Sequence, residues 1–585
     1  VTLRDLRIAR VEHRAGGALD AVIAIGSDGS VGEAPCVCDP AVAKALVELV
    51  PRWIGADPLA FEARWRALGA ACFGDPAHRA AFGAIEFACA HLVANAARIP
   101  MSALSGQAIE GDRPNARSSA PGLPDDELSV DADTFASLAQ IGRAGLERDA
   151  TSLRYAPLRS GGPVGLRALA ALARALNLEA QAHRATLSPP ALAAPRAARI
   201  RRIRLHQVKL PLARPYVSAM YLTDTALRTI VELETDDGIV GLGETHGAEE
   251  VFRLTAALAK TWIGESAFER RALASRFACT IYENRNGRNG WQALAGVEVA
   301  AWDNLARRLD VPLARLLGGG NEVQSLRVVS LLPTAMLDRV VPRAALAELF
   351  GDTRNVAPVA EHAAQLHAGP GFTSFKYKSS GLGLEWDVAA IQALRERLGR
   401  EVEIRFDPNA AYDTATALAV CRALEPFAVT WYEDPTGGIE GLARVRKRVS
   451  RPIATNMAVV QFDHLAPAAR RGAVDVVLGD TCYWGGVEAI RDLALACDAL
   501  GLSLANHAFY ETQVSGAVNL HLAGGLGLTA HAHDQAFDGL ADDVVAPETL
   551  AIRNGHVAVP AGPGIGIALD RERLARLRVA EVVLE

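Results

Sequence analysis

Two lysines, Lys376 and Lys378, flank a tyrosine in the segment Phe375-Lys376-Tyr377-Lys378. In a strand, positions i and i+2 share a face, so both ammonium groups point the same way. Two like charges on the inner face of a barrel need a counter-charge or an anionic ligand. Their mutual repulsion and partial burial are expected to depress a lysine pKa toward the range a general base needs. Further along, Asp407 ends Ile404-Arg405-Phe406-Asp407, Glu433 ends Thr430-Trp431-Tyr432-Glu433, and Asn456 ends Ala454-Thr455-Asn456. Two carboxylates and an amide oxygen are hard donors, a set that suits Mg2+ better than zinc and leaves positions for water and a substrate carboxylate. One acidic residue at a strand end most often caps the next helix; three polar residues in register favour a metal. Asp480 and His507 extend the series, and a carboxylate facing an imidazole fixes its tautomer and raises its basicity.

The spacing says what must position these groups. Lys378, Asp407, Glu433, Asn456, Asp480 and His507 are separated by 29, 26, 23, 24 and 27 positions, about one strand-plus-helix unit each. Strand-like segments at 375–378, 403–407, 429–433, 453–456, 474–480 and 502–507 alternate with helical ones. That alternation predicts an α/β fold with a parallel sheet, and at this length a (β/α) barrel closes it most economically, with every strand end opening on one mouth. Before the barrel, 203–212 and 228–234 are strand-like, Asp236-Asp237-Gly238 makes a turn, and helical periodicity runs from 248 to 308, which predicts an α+β unit.

The first third of the chain carries a shortened copy of the remainder. Trp53-Ile54-Gly55 recurs as Trp262-Ile263-Gly264, and Ile85-Glu86 leading to Ile99-Pro100 recurs as Val297-Glu298 leading to Val311-Pro312, at offsets of 209 and 212 residues. Gly161-Gly162 aligns with Gly485-Gly486 and His183 with His507, at an offset of 324. Between these blocks, 107–134 is rich in Gly, Pro, Ser and Asp and is expected to be a loop. The division expected is a degenerate α+β unit at 1–106, a truncated barrel remnant and linker at 107–195, an α+β unit at 196–320 completed by about 560–585, and a barrel at 321–560. Ala156 stands where Asp480 aligns and no equivalents of the lysines or of Asp407 and Glu433 remain, so residues 1–195 are expected to be a non-catalytic structural or interaction module.

Composition narrows the partners. The 585 residues carry a formal net charge of -6, which gives no basic footprint for nucleic acid and no polybasic membrane patch. No run of about 18 apolar residues and no leader pattern is evident, so no membrane association is expected. The eight cysteines are scattered. Cys36 and Cys38 have no matching second pair, so buried thiols in a reducing, cytoplasmic compartment are expected.

With these residues in view, the chain from about 200 to 575 resembles the enolase superfamily, and within it the glucarate dehydratase branch of the mandelate racemase/muconate lactonizing enzymes. The resemblance rests on Phe375-Lys376-Tyr377-Lys378, Phe406-Asp407-Pro408-Asn409, Tyr432-Glu433-Asp434-Pro435, Ala454-Thr455-Asn456-Met457, Asn506-His507 and the late Gly562-Pro563-Gly564-Ile565-Gly566. Asparagine at the third metal position points to the glucarate branch. The resemblance implies a capping domain over the barrel mouth, Lys376, Lys378, Asp480 and His507 as catalytic groups, Asp407, Glu433 and Asn456 as Mg2+ ligands, and Asn409 and Asn506 as substrate contacts. It further implies a homo-oligomer acting on a small acid sugar. The chain departs from the pattern in Ser379-Ser380-Gly381 after the lysines, in lacking a tyrosine around 328–332, and in having His531 or Ala532 where an aspartate partner belongs. The reaction expected is removal of the proton α to a carboxylate, then loss of the β-hydroxyl as water. Racemisation or epimerisation at the same carbon, and a non-catalytic binding or regulatory role, are the alternatives.

Overall fold

The computed structural model describes residues 3–14, 20–36, 40–64, 75–99, 104, 127–129, 152–155, 171 and 179–182, and 198–585 apart from 281–287, 320–323 and 382. At the N-terminal end β1 (Ile8–Arg14), β2 (Asp20–Gly26) and β3 (Val31–Cys36) form an antiparallel sheet in that order. The helix Pro76–Ala97 packs on it, capped by Asp75, whose carboxylate accepts from Ala77 N and His78 N. Residues 77–97 are long and apolar enough to cross a membrane, contrary to the apolar-run expectation, but most of their surface is buried inside the fold. Three further short strands, β4 (Glu127–Ser129), β5 (Ser152–Tyr155) and β6 (Glu179–Ala182), form a parallel sheet. β4 falls inside the 107–134 segment expected to be a loop; its turn-forming composition hid a pairing that only β5 supplies. Ala156, Gly161, Gly162 and His183 lie outside the described residues.

The capping unit is a four-stranded antiparallel sheet of β7 (Ile200–Val217), β8 (Leu222–Thr235), β9 (Val240–His246) and a late strand from the chain's C-terminal end. The helix Asn289–Arg308 lies on it, its Trp302 fully buried. The barrel is built from β10 (Ser325–Leu332), β11 (Ser374–Lys378), β12 (Glu403–Asp407), β13 (Tyr432–Glu433), β14 (Ile453–Thr455), β15 (Val476–Gly479), β16 (Ser503–Asn506) and β17 (His533–Asp534). All paired neighbours among these are parallel, and β17 returns to the free side of β10. The hairpin β18 (Ile552–Arg553) and β19 (His556–Ala558) adds to β10, and β20 (Arg578–Leu584) pairs antiparallel with β7, returning the chain to the cap.

Strand alternation sorts the barrel residues. Phe375, Tyr377, Ile404 and Phe406 join the main apolar core, while Trp431, Ala454, Val476, Leu478 and Ala505 form a separate cluster. Glu433, Asn456, Asp480 and His507 each stand two residues beyond a member of that inner cluster. The same side of each strand therefore runs from an apolar plug to a polar mouth.

Candidate active site

The lysine strand meets its charges across neighbouring strands. In the β11–β12 register Lys376 lies opposite Arg405 and Lys378 opposite Asp407. Lys378 Nζ donates to Asp407 Oδ2, and Lys376 Nζ donates to Glu433 Oε1 at 2.7 Å and to Asp534 Oδ2. Arg405, fully buried over the Trp431 ring at 3.9 Å, donates from Nη1 to the other Asp534 oxygen at 3.1 Å. Three cations thus face three carboxylates in a buried cluster, which is how buried charge is tolerated. The expectation of a depressed lysine fails here. Burial works against the Lys378 ammonium, but Asp407 and Glu433 outweigh it and hold the group above its ordinary range. Asp407 is pushed up by burial and by the Glu433 charge, whereas Glu433 is held low because Lys376 and Lys378 overcome its burial.

On the other side, His507 Nδ1 bonds Asp480 Oδ2 at 2.8 Å, and Asn456 Nδ2 donates to His507 Nε2 at 3.0 Å. Asp480 does both jobs open to a strand-end acid: Oδ1 accepts from Cys482 N at 2.9 Å and Tyr483 N at 3.0 Å, capping a short helix, while Oδ2 orients the imidazole. Asp434 fixes the neighbouring strand end, accepting from Asn456 N at 2.8 Å. Asn409 N donates to Asp407 Oδ1 at 2.9 Å, and Asn506 Nδ2 reaches the Asp534 carbonyl at 3.4 Å. The structure therefore ties every candidate residue to another group of the mouth.

Several groups of the mouth were not evident from sequence. The acid expected at His531 or Ala532 is supplied by Asp534, two residues beyond Ala532, because the short strand β17 puts its second residue beside β10. Arg405 read as an ordinary strand residue; only its register opposite Lys376 gives it a place inside. Arg228 of the cap is also fully buried, donating to Glu244 at 2.7 Å and to Cys482 Sγ at 3.3 Å, with Glu511 at 3.8 Å. Glu244 in turn accepts from Thr512 and Ser515, locking the cap to the segment after His507. Tyr216 at the end of β7, with Phe509 and Tyr510, makes an edge-to-face aromatic roof with centroids 5.1 to 5.5 Å apart, and it packs on Leu331 of β10. An outer cavity lined by Arg214, His362 and Asp538 shares Leu331 and Tyr510 with this roof.

The donor set fits a hard divalent cation. Asn456 Oδ1 is buried with no hydrogen-bond partner, an oxygen left for a ligand. Glu433, His507 and Asp534 each bring a ligand atom to within 4.8 Å of the others, a cluster that shares only Glu433 with the expected ligands Asp407, Glu433 and Asn456, Asp407 being engaged by Lys378.

The comparisons agree with this geometry. Residues 200–318 match the N-terminal domain of the mandelate racemase/muconate lactonizing enzymes, and 358–573 match the enolase C-terminal-domain-like model. A probable glucarate dehydratase of Streptomyces coelicolor is 32% identical over 366 residues, covering 60% of this chain and 84% of the relative. A D-galactarolactone cycloisomerase of Agrobacterium fabrum is 26% identical, covering 66% and 100%. Among solved structures, an enolase of Mycobacterium smegmatis complexed with tartrate aligns with a TM-score of 0.60 at 30% identity, over 66% of this chain and 92% of that one. An enolase of Thermobispora bispora complexed with magnesium and formate aligns at 0.59 and 33%, over 65% and 92%. Two family models in the right order over a cap and a barrel, with strand-end acids and lysines meeting at one mouth, make this chain an enzyme of the enolase superfamily, a member of the mandelate racemase/muconate lactonizing enzyme family.

Proposed function

We propose that the protein is a Mg2+-dependent acid-sugar dehydratase of the glucarate type, which removes the proton α to a carboxylate and eliminates the β-hydroxyl as water to leave a keto-deoxy acid. The observation that carries this reading is the joining of the Asp480–His507 dyad to Asn456, whose Oδ1 is buried without a hydrogen-bond partner. Asp407, Glu433 and Asn456 would hold Mg2+, which when bound supplies positive charge against the negative charge that grows on the substrate carboxylate. Lys376, fixed by Glu433 and Asp534, adds an ammonium for the same carboxylate. Lys378 starts as the counter-ion of Asp407 and can accept a proton only once that pairing is exchanged. His507 is held through Nδ1, so Nε2 is the atom that moves a proton. Once Nε2 is released from Asn456 Nδ2 and carries a proton, the imidazolium paired with Asp480 can protonate the departing hydroxyl.

Dehydratase relatives support the reading: besides the glucarate enzyme, an arabinonate dehydratase of Saccharolobus solfataricus is 26% identical over 346 residues. A second reading, racemisation or epimerisation, draws on the presence of a candidate base on each of two separate strands, and an N-succinyl-L-Arg/Lys racemase of Bacillus cereus is 24% identical. Incubation of the Mg2+-loaded protein in deuterated water with a panel of acid sugars decides between them. Loss of the elements of water by mass supports dehydration, whereas no loss of water and a gain of about one mass unit, from deuterium at the α-carbon, replaces it with epimerisation. Residues 1–195 are, in this reading, a shortened second copy of the cap and barrel that takes no part in the chemistry.

A further inference from the structure

The two sides of the mouth differ in charge. Over β10 and β16 the roof is aromatic and apolar, built from Leu212, Tyr216, Leu331, Tyr510 and Ala536. Over β14 and β15 stands Arg288, from the start of the cap helix Asn289–Arg308. Its guanidinium lies 5.0 Å from the Tyr483 ring, and that ring stacks on His507 with centroids 6.1 Å apart. Arg288 Nη2 donates to the carbonyls of Asn456 and Met457 at 3.3 Å each, which anchors the side chain beside a candidate metal ligand. Among the described residues no carboxylate pairs with it, and none accepts from its remaining donors. Its backbone sits at φ 62, a conformation that costs a non-glycine residue energy and that recurs at functional sites. His246 also stacks on Tyr483, with centroids 5.8 Å apart; burial holds its pKa down to about 3, so it brings no second positive charge. A half-buried guanidinium that no carboxylate among the described residues pairs with, next to the imidazole of the Asp480 dyad, is a receptor for an anion.

We propose that Arg288 binds the far carboxylate of the substrate, so that the site selects acid sugars with a carboxylate at both ends over those ending in a hydroxymethyl group. The proposal rests on the acid-sugar reading of the mouth and adds the residue that recognises the far end of the substrate. Arg214, in the outer cavity, is exposed and serves as the control cation.

The test uses the full-length protein with Mg2+ and two pairs of probes that differ only in the terminal group: glucarate against gluconate, and tartrate against threonate. Binding is read by calorimetry and turnover by keto-acid formation. The wild type is expected to bind the diacid of at least one pair about ten- to a hundredfold more tightly, the scale of a charge-assisted contact. Arg288→Met is expected to remove that preference by weakening the diacid alone, raising KM more than it lowers kcat. Arg214→Met is expected to keep it, and Arg288→Lys to restore part of it. Equal binding of diacid and monoacid by the wild type overturns the assignment, as does equal weakening of both by Arg288→Met, or loss of the preference in Arg214→Met. If the diacid binds selectively through Arg288 but loses no water, the dehydratase reading fails while the assignment stands.

Discussion

Gly32 and Gly241 occupy matching places in two sheets 209 residues apart. A Cβ on Gly32 would lie 2.0 Å from the Ala88 carbonyl and 2.2 Å from Leu92 N; on Gly241 it would lie 2.0 Å from the Ala300 carbonyl and 2.6 Å from Asn304 N. Ala88 and Leu92 precede Ala300 and Asn304 by 212 residues, the offset of the helix repeat. Trp53 and Trp262 are both fully buried. β5 and β6 begin and end 324 residues before β15 and β16, the offset found between Gly161-Gly162 and Gly485-Gly486. What differs is the supply of strand ends. The later region has acids, lysines and a histidine on consecutive barrel strands, whereas the earlier one has too few residues between its cap and its last strands to carry them. Close packing of a strand on a helix needs only a glycine and a few apolar contacts, so it survives without a mouth; the chemistry needs a closed ring of strands.

The sharpest way to break this comparison is at the histidines. Lys378→Ala and His507→Ala should each lower kcat about 10^3- to 10^4-fold, the upper range for a positioned acid or base, while His183→Ala leaves turnover unchanged. A comparable loss in His183→Ala, measured by keto-acid formation, would show that the first region shares in catalysis. Metal binding gives the next effect. At 100 times its dissociation constant, Mg2+ should stabilise the wild type by about 2.7 kcal/mol, and Glu433→Gln should lose most of that gain in thermal melts. A Mg2+-induced shift that persists in Glu433→Gln would relocate the metal.

Glycine substitutions sharpen the structural half. Gly32→Ala and Gly241→Ala each force a methyl into backbone, costing roughly 1–3 kcal/mol or more in the region concerned. Gly241→Ala should also lower activity, because its helix begins beside Arg288, whereas Gly32→Ala should leave kcat intact; denaturant unfolding tracked alongside activity separates the two. The smallest effect is expected at the join between the regions. There Arg315 of the cap pairs with Asp57 and donates to the Leu3 carbonyl at 3.1 Å. Arg315→Ala should cost roughly 1–3 kcal/mol, since it leaves a largely buried carboxylate without its partner, and should speed proteolytic release of the N-terminal segment. Unchanged proteolysis would mean that other contacts hold the join.

Much of this site was legible because a parallel barrel imposes a period. Polar residues that recur every strand-plus-helix unit, each two positions past an inner-face residue, must converge if the strands close, so Lys378, Asp407, Glu433, Asn456, Asp480 and His507 could be found without coordinates. The recurring words of the first third were legible for a similar reason, since fixed offsets need no distances. Which charge meets which was decided by tertiary structure alone. Lys376 reaches Asp534 across 158 positions, and Arg228 reaches Cys482 across 254. Such contacts exist only after β17 has returned to β10 and the cap has closed on the barrel. The order of side chains along each strand is local and can be read from the chain, but the partner of a buried charge is set by register between strands and by which end of the chain completes the ring. That is why the lysine judged to be repelled by its neighbour proved to be held by a carboxylate, and why an arginine with no local signal stands over the mouth.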